Sequence, residues 1–575
     1  MPSTPPERAD PPTRLTAVAV LTGARRRIVA FGRRALGLDV PADHTIAVLH
    51  TDEKEVPGLD RTELRQLDRI RLLGATGTVL MAIAALGIGA QPVHQNPVSG
   101  VRVLGIFARA HTGSLAMCMV GSAIVVLAWL LLGRFAIGSL GGSPRHRVSR
   151  SQLDRTLLLW ILPLSVAPPL FSNDVYSYLA QSEIAGRGID PYSEGPVAGL
   201  GIDNVLTNNV PTIWRDTPAP YGPLFLWVGR GIAELTGENI IAGVWAHRAL
   251  ALAGVALIVW ALPRLSVRCG VAPVSALWLG ACNPLVLFHL VGGVHNDALM
   301  LGLMLAGMEF CLRAIEDSPI FDARTYALLT GGVVTITLSS TIKFTSIIAL
   351  GFVGMALARR WGPGPWSVLR AALLLALVAG VTTVAISAVS GLGFGWLYTL
   401  NTASAVRSWM SLPTALGVIT GFGGVLLGLG DHTTALLSIT RPIAALGAAF
   451  IALRMLVATN TGRLHPVGAL GVALGAIVLL FPVVQPWYLL WAIVPLAAWA
   501  TRAAFRGPAV VVPAIVSVIA MPRGAEFEVF QIVGAAVAGV IVVVLFVVLT
   551  KNQLPWRRTG VSAPSQPADA YGVTS

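Results

Sequence analysis

One acidic residue stands where chemistry is expected in this largely apolar chain. Asp174 opens a polar loop just past the end of an apolar run, where an ionisable group is costly to place and usually functional. An ionised carboxylate at that boundary can accept a proton from a hydroxyl within hydrogen-bond reach. The alternative is a helix start, since Ser172 or Asn173 can cap a helix and its dipole favours an acid in the first turn.

Two further boundary segments carry groups that suit a phosphate ligand. His295 and its neighbours Asn296 and Asp297 precede a long apolar run, and Lys343 is one of three lysines in the chain. An imidazole and an ammonium at such positions can bind phosphate oxygens. The alternatives are capping of the following helix by Asn296 or Asp297, and a lysine that snorkels from a helix end.

Aromatic and basic residues in two later segments are candidates for substrate contacts. Trp487 and Tyr488 begin another apolar run. Their rings can stack on a sugar, or they can belong to the aromatic belt at a membrane boundary. Arg407 and Trp409 lie in a polar segment and are weaker candidates for an acceptor or phosphate contact.

The elements that must position these residues are membrane-spanning helices. Hydrophobic residues make up 54% of the chain, charged residues 12%, and the mean hydropathy is +0.72. Apolar runs lie at about 72–90, 114–135, 156–170, 240–262, 273–291, 297–315, 325–342, 344–358, 367–389, 435–457, 466–483, 487–501, 508–521 and 528–550. They predict an all-α polytopic membrane protein with about fourteen helices.

Basic residues predict the orientation of these helices. The net charge is +13, but most arginines flank apolar runs, so they indicate topology and not nucleic-acid binding. Their alternation predicts that both termini are cytoplasmic and that Asp174, His295, Lys343 and Trp487 share the outer face. We predict a partly disordered cytosolic segment at residues 1–71, a membrane domain at 72–550 and a disordered cytosolic tail at 551–575. Within the membrane domain, residues 171–239 and 390–434 form large outer loops.

The first outer loop has a structured sequence. Val175, Tyr178 and Leu179 recur at helical spacing, so one face of a short helix there can lie on the membrane surface. Residues 190–192, Asp-Pro-Tyr, are typical of a turn. Residues 221–234 predict a second short helix, interfacial or re-entrant.

Four motifs resemble a known family. They are residues 173–181 (Asn-Asp-Val-Tyr-Ser-Tyr-Leu-Ala-Gln), 188–192 (Gly-Ile-Asp-Pro-Tyr), 292–297 (Gly-Gly-Val-His-Asn-Asp) and 485–491 (Gln-Pro-Trp-Tyr-Leu-Leu-Trp). In this order they resemble the actinobacterial GT-C glycosyltransferases that use polyprenyl-phosphate mannose, in particular the α-1,6-mannosyltransferases of type B (MptB). The resemblance covers roughly residues 70–550. It implies a GT-C-like bundle of about 13–15 transmembrane helices, a structured first outer loop and an extracytoplasmic active site.

The resemblance also implies roles for individual residues. Asp174 matches the family's catalytic base, and we predict that Lys343 and His295 bind the donor phosphate. The predicted substrate-binding residues are Asn173, Tyr178, Tyr192, Asn296, Asp297, Arg407, Gln485, Trp487 and Tyr488. Asn173 stands where some relatives carry a second acid, so we assign no metal site and no other cofactor and leave metal dependence open.

The implied reaction is an inverting transfer of mannose to the α-1,6-mannan backbone of lipomannan. The implied partners are polyprenyl-phosphate mannose, a mannosylated glycolipid acceptor and the lipids of the plasma membrane, with no nucleic acid. Two alternatives stay open. One is a transporter or flippase of lipid-linked sugars, although the chain has no evident internal repeat; the other is a related transferase that uses polyprenyl-phosphate arabinofuranose.

Overall fold

The computed structural model describes residues 50–94, 96–140, 142–405, 408 and 410–554, and its regular elements in these ranges are helices. The predicted N-terminal segment up to residue 49 and the tail beyond residue 554 lie outside them. The α-helices are α1 Arg61–Ile88, α2 Gly105–Arg109, α3 His111–Ala136, α4 Arg150–Val166, α5 Asp174–Gly186, α6 Pro196–Leu200, α7 Val205–Asn209, α8 Pro223–Thr236, α9 Ile240–Arg268, α10 Pro273–Gly280, α11 Asp297–Glu316, α12 Ala323–Ser340, α13 Ile348–Trp361, α14 Pro365–Ser390, α15 Leu412–Leu426, α16 Thr433–Asn460, α17 Pro466–Leu480, α18 Leu489–Ala497, α19 Ala503–Ile519 and α20 Val529–Leu549. Tighter 3-10 turns occupy Thr212–Trp214, Phe344–Ile347, Gly395–Ala405 and Pro486–Tyr488, and a π-helical segment occupies Val286–Gly292.

Seven of the described helices are long and apolar enough to cross a membrane, namely α1, α3, α9, α11, α14, α16 and α20. Each of the fourteen predicted apolar runs contains a helix, although several are shorter than a full span. The prediction of an all-α polytopic membrane protein is therefore confirmed. The segment 390–434, predicted as one loop, differs in that it contains the apolar helix α15, which Ser411 caps by accepting a hydrogen bond from the Thr414 N–H.

The first helix begins earlier than its apolar run. Asp60 accepts hydrogen bonds from the first-turn N–H groups while the Glu63 side chain accepts from the Asp60 N–H, a capping box that starts α1 at Arg61. The residues just before it are ordered against the bundle. Glu53 forms ion pairs with Arg506 and Arg147, so part of the predicted cytosolic segment packs against the helix bundle.

Helix α5 lies inside the protein and not on the membrane surface. Val175, Tyr178 and Leu179 are buried, but so are Tyr176 and Ala180 on its other sides. The helix packs against α8 and α9, and the Tyr176 hydroxyl donates to the carbonyl of Ala90. The predicted membrane-facing stripe is therefore wrong, because neighbouring helices cover every side of this short helix.

Helix α11 separates the two ends of the bundle. It begins at Asp297 and ends at Glu316, and its 20 residues span about 30 Å. At its far end Arg268 binds Glu309, Glu316 and Asp317. The end that carries Asp297 is thus about one hydrocarbon thickness away from these ion pairs of Arg268.

Candidate active site

Asp174 is the first residue of α5, and its side chain is partly exposed. Asn173 occupies the N-cap position without a side-chain cap, and the Asp174 N–H donates to the Ser172 hydroxyl at 3.1 Å. The Asp174 side chain is 28% exposed, so its carboxylate remains accessible. Burial raises the pKa of Asp174, and this effect outweighs the opposing influence of Lys343 and Ser172. A raised pKa makes the carboxylate a stronger base once it is ionised.

A neutral imidazole faces this carboxylate. Nδ1 of His295 lies 3.5 Å from Oδ2 of Asp174, and the His295 ring stacks on Trp487 with centroids 3.7 Å apart. Burial lowers the pKa of His295 well below its ordinary value, and the nearby His289 and Lys343 reinforce the effect. Among the described residues neither ring nitrogen of His295 makes a hydrogen bond. The imidazole is therefore neutral and free to bind a ligand.

The backbone that presents His295 is irregular. The π-helical segment Val286–Gly292 ends just before it, and Val294 has a φ of +59°. A β-branched residue in this left-handed region is strained, and such strain concentrates at functional sites. The Leu170 N–H donates to the Gly292 carbonyl at 3.1 Å. This bond joins the connection that leads to Asp174 with the segment that carries His295.

A buried ion pair adjoins the acid and the imidazole. Nζ of Lys343 lies 3.1 and 2.9 Å from the two carboxylate oxygens of Asp297, and Nε1 of Trp491 donates to Asp297 at 2.6 Å. Asp297 is fully buried, whereas Lys343 is 17% exposed and lies 4.8 Å from the centre of the Tyr488 ring. Asp297 thus fixes the ammonium and is itself shielded from a ligand.

A glycine lets the connection between α5 and α8 approach Lys343. The Gly222 N–H donates to the Ile342 carbonyl at 3.2 Å, and a Cβ at Gly222 would lie 2.2 Å from the Thr341 carbonyl oxygen. The preceding residue, Tyr221, packs edge-to-face on Tyr178 with ring centroids 5.2 Å apart. The close approach of the two backbones therefore aligns Tyr221 and Tyr178 with the ion pair.

We expect Gly222→Ala to lose stability by about 1–3 kcal/mol, because the added methyl group meets backbone that cannot move alone. Any activity that depends on Lys343 should fall with it, because Lys343 directly follows the displaced segment. Gly231→Ala on α8 is the matched control, because a Cβ there meets no atom within 4 Å. Thermal unfolding of the purified proteins measures the difference. Equal stability of the two variants would contradict the inference that the backbone contact at Gly222 leaves no room for a methyl group.

Several buried polar atoms next to Asp174 and His295 have no partner among the described residues. Oδ1 of Asn173, both amide atoms of Asn296 and Nε1 of Trp487 are buried and make no hydrogen bond to described residues. Buried polar groups in native proteins are normally paired. Asn296 occupies the N-cap position of α11 without a side-chain cap, so the capping alternative for it is wrong. The unpaired atoms are what a site for a ligand rich in hydroxyl groups requires.

The structure brings most of the predicted residues together. The assembled set comprises Asn173, Asp174, Tyr178, His295, Asn296, Asp297, Lys343, Trp487 and Tyr488. Gln485 contributes its carbonyl to the turn that carries Tyr488, and Tyr192 lies apart against Gly395. Arg407 falls outside the described residues.

Three residues of the site were not predicted. His289 lies 6.1 Å from His295 between ring centroids, Trp491 binds Asp297, and Tyr221 packs on Tyr178. Trp491 is the last residue of the motif 485–491. His289 is a polar residue inside an apolar run, and such a residue is a sequence signal for a functional site. Their partners are distant in sequence, so spacing alone does not connect them.

The two carboxylates of this site differ in their partners. Asp297 is bound by Lys343 and Trp491, which leaves Asp174 as the accessible acid. Within the described ranges, the group of three candidate ligands that lie close enough for one cation is Asp60, Glu63 and His146. The capping box and the contact of His146 with Glu63 account for that group.

A cavity of about 620 Å³ lies at the other end of α11. Its lining includes Glu316, Arg359 and Arg360. It is separated from Asp174 by the length of α11, about 30 Å. We therefore do not assign the reacting groups to this cavity.

The fold and the site define a multi-pass membrane protein with an acid, a neutral imidazole and an ammonium group at one end of its helices. Two family models match the chain: the N-terminal domain of the α-(1→6)-mannopyranosyltransferases over residues 71–359, and the MptB C-terminal domain over residues 413–548. The chain belongs to the MptA/MptB family and is a glycosyltransferase. The predicted resemblance to type B is confirmed.

Individual relatives agree with the family assignment. The chain is 54% identical over 554 residues to a probable α-(1→6)-mannopyranosyltransferase of Mycolicibacterium smegmatis, with 92% of this chain and 97% of that protein covered. It is 54% identical to an α-(1→6)-mannopyranosyltransferase of Mycobacterium tuberculosis, covering 89% and 93%. It is 40% identical to α-(1→6)-mannopyranosyltransferase B of Corynebacterium glutamicum, covering 82% and 80%. No solved structure matches.

Proposed function

We propose that this enzyme transfers mannose from polyprenyl-phosphate mannose to the α-1,6-mannan backbone of a growing lipomannan, on the outer face of the plasma membrane. The observation that carries the proposal is the close approach of Asp174 to the neutral His295, with Lys343 beside them. A base, a hydrogen-bond donor and a cation are what displacement of a phosphate by a hydroxyl requires.

The acceptor is activated by Asp174. Its carboxylate accepts the proton of the acceptor 6-hydroxyl while that oxygen forms a bond to the anomeric carbon of the donor. The bond from the anomeric carbon to the phosphate oxygen breaks, and its electron pair leaves with the polyprenyl phosphate. Attack from the face opposite the phosphate inverts the configuration, so a β-linked donor gives an α-1,6 product.

The leaving phosphate is stabilised by His295 and Lys343. The neutral His295 donates one N–H to a phosphate oxygen without adding a proton that would compete with Asp174. Lys343 keeps its charge, because Asp297 and Tyr488 hold its pKa above the ordinary value although burial alone would lower it. A fixed cation beside the developing negative charge lowers the barrier without reorganisation during the reaction.

The position of the site supports an outer location. The site and the arginine-rich end of the bundle lie at opposite ends of α11, about 30 Å apart. Arginines concentrate on the cytoplasmic side of multi-pass proteins. We therefore place both termini in the cytoplasm and the site of Asp174, His295 and Lys343 on the outer surface. The donor's prenyl chain then stays in the bilayer while its mannose reaches the site.

The test is transfer by the purified protein in lipid nanodiscs supplied with radiolabelled polyprenyl-phosphate mannose and an α-1,6-oligomannoside. We expect a product extended by mannose whose new linkage is cleaved by an α-1,6-specific mannosidase. Parallel reactions with polyprenyl-phosphate arabinofuranose should give no product. Absence of mannose transfer, or movement of the donor across a sealed vesicle without transfer, would contradict the proposal.

A further inference from the structure

Three aromatic residues lie close together where the first and second outer connections touch. Phe344 directly follows Lys343, and its ring centroid lies 6.0 Å from that of Trp396. The next contact is made by Tyr192, because a Cβ at Gly395 would lie 2.8 Å from the Tyr192 Cβ. The absence of a side chain at Gly395 thus lets Tyr192 pack against the segment that carries Trp396.

Two of these aromatic residues have polar atoms without partners. Tyr192 is 6% exposed and Trp396 is 4% exposed. The Tyr192 hydroxyl and the Trp396 indole N–H make no hydrogen bond to described residues. Buried tyrosine and tryptophan side chains normally find such a partner. Two buried aromatic side chains that both lack one, on touching segments, indicate a ligand that supplies hydroxyl groups.

The segment that carries Trp396 continues along the active site. Further on, the Ser408 hydroxyl donates to the Val484 carbonyl, and the Ser411 hydroxyl donates to the Phe481 carbonyl at 2.7 Å. Both carbonyls lie just before the turn that carries Trp487. The segment therefore contacts Phe344 on one side and the residues just before Trp487 on the other, so the aromatic residues adjoin the site.

The geometry points to a carbohydrate subsite formed by Tyr192, Phe344 and Trp396, which binds mannose units of the acceptor chain next to the one that reacts. This inference rests on the proposed function. The exposed Phe344 ring receives the C–H face of a sugar, while the Tyr192 hydroxyl and the Trp396 N–H bond to sugar hydroxyls. Bound units behind the reacting one hold its 6-hydroxyl near Asp174.

The test removes one polar group at a time and keeps an aromatic ring at each position. Tyr192→Phe deletes only a hydroxyl, and Trp396→Phe deletes the indole N–H together with its five-membered ring. Each change should raise the KM for a long α-1,6-oligomannoside roughly three- to tenfold, the loss expected for one hydrogen bond. The KM for the donor should stay unchanged. Tyr398→Phe is the matched control, because the Tyr398 side chain on the same segment is 90% exposed.

A second measurement separates this subsite from the proposed function. Saturation-transfer NMR with an α-1,6-mannotetraose and no donor should show binding to the full chain in nanodiscs, weakened in Tyr192→Phe. An unchanged acceptor KM together with unchanged binding would overturn the subsite while Asp174 still carried transfer. A rise in the donor KM instead would also overturn it and would place these residues on the lipid path. Binding that depends on Tyr192 in a protein without mannose transfer would support the subsite and refute the proposed function.

Discussion

Replacement of Asp174 by Asn should reduce mannose transfer by roughly 10²- to 10⁴-fold, the usual contribution of a general base. The amide has the shape of the carboxylate but cannot take the acceptor proton. The stability of the variant should not fall. Burial raises the pKa of Asp174 in the folded protein, so the folded state favours the protonated acid and loses stability as the pH rises through that pKa. A neutral amide avoids this cost.

The pH dependence of the wild-type enzyme checks the same assignment. Transfer requires ionised Asp174, so the rate should fall as the pH drops through a pKa above the ordinary value of about 3.9. Asp174→Asn should lose this acid limb. Asp203→Asn, an exposed acid of the same connection, is the control and should keep both rate and pH profile. Near-normal transfer by Asp174→Asn, measured at equal protein amount, would remove Asp174 as the base.

The buried pair of Lys343 and Asp297 should give the second-largest effect. Asp297→Asn leaves an ammonium buried without its counter-charge, and loss of one partner from such a pair costs about 3–5 kcal/mol. Lys343→Met leaves the carboxylate with Trp491 as its partner and removes the cation expected to bind phosphate. Loss of a charged hydrogen bond should lower transfer about 10- to 100-fold and raise the donor KM.

The double variant Lys343→Met with Asp297→Asn separates stability from function. Without either charge, no unpaired ion is buried, so thermal stability should recover relative to Asp297→Asn alone. Transfer should not recover, because the phosphate still lacks its cation. Lys54→Met, at an exposed lysine, is the control for removal of a positive charge. If transfer returned along with stability, the pair would be structural and Lys343 would not act on the phosphate.

The membrane fold follows from local properties of the chain. Apolar runs such as 114–135 and 297–315 are helical because a spanning segment must satisfy its own backbone hydrogen bonds. The grouping of Asp174, His295, Lys343 and Trp487 was also predicted, since each stands at the end of an apolar run and the basic residues order those ends. The lengths of the apolar runs and the charges that flank them can be determined from the sequence without knowledge of how the helices pack.

The chemistry of the site depends on contacts that no local pattern contains. Asp297 was predicted to bind substrate, but Trp491 on α18 and Lys343, just after α12, contact its carboxylate and bury it. The face of α5 assigned to the membrane surface is enclosed by α8 and α9. His289 reaches His295 only because a π-helical segment and the strained Val294 turn the chain between them.

The sequence by itself therefore determined an all-helical membrane protein, its family, and Asp174 as the acid to test. The tertiary structure decided that Asp174 faces a neutral His295, that Asp297 binds Lys343, and that Tyr192 packs on Gly395, the neighbour of Trp396. The physical reason is that helix formation depends on neighbours a few residues away. Burial, pKa and ligand contacts depend on side chains that packing brings together from distant parts of the chain.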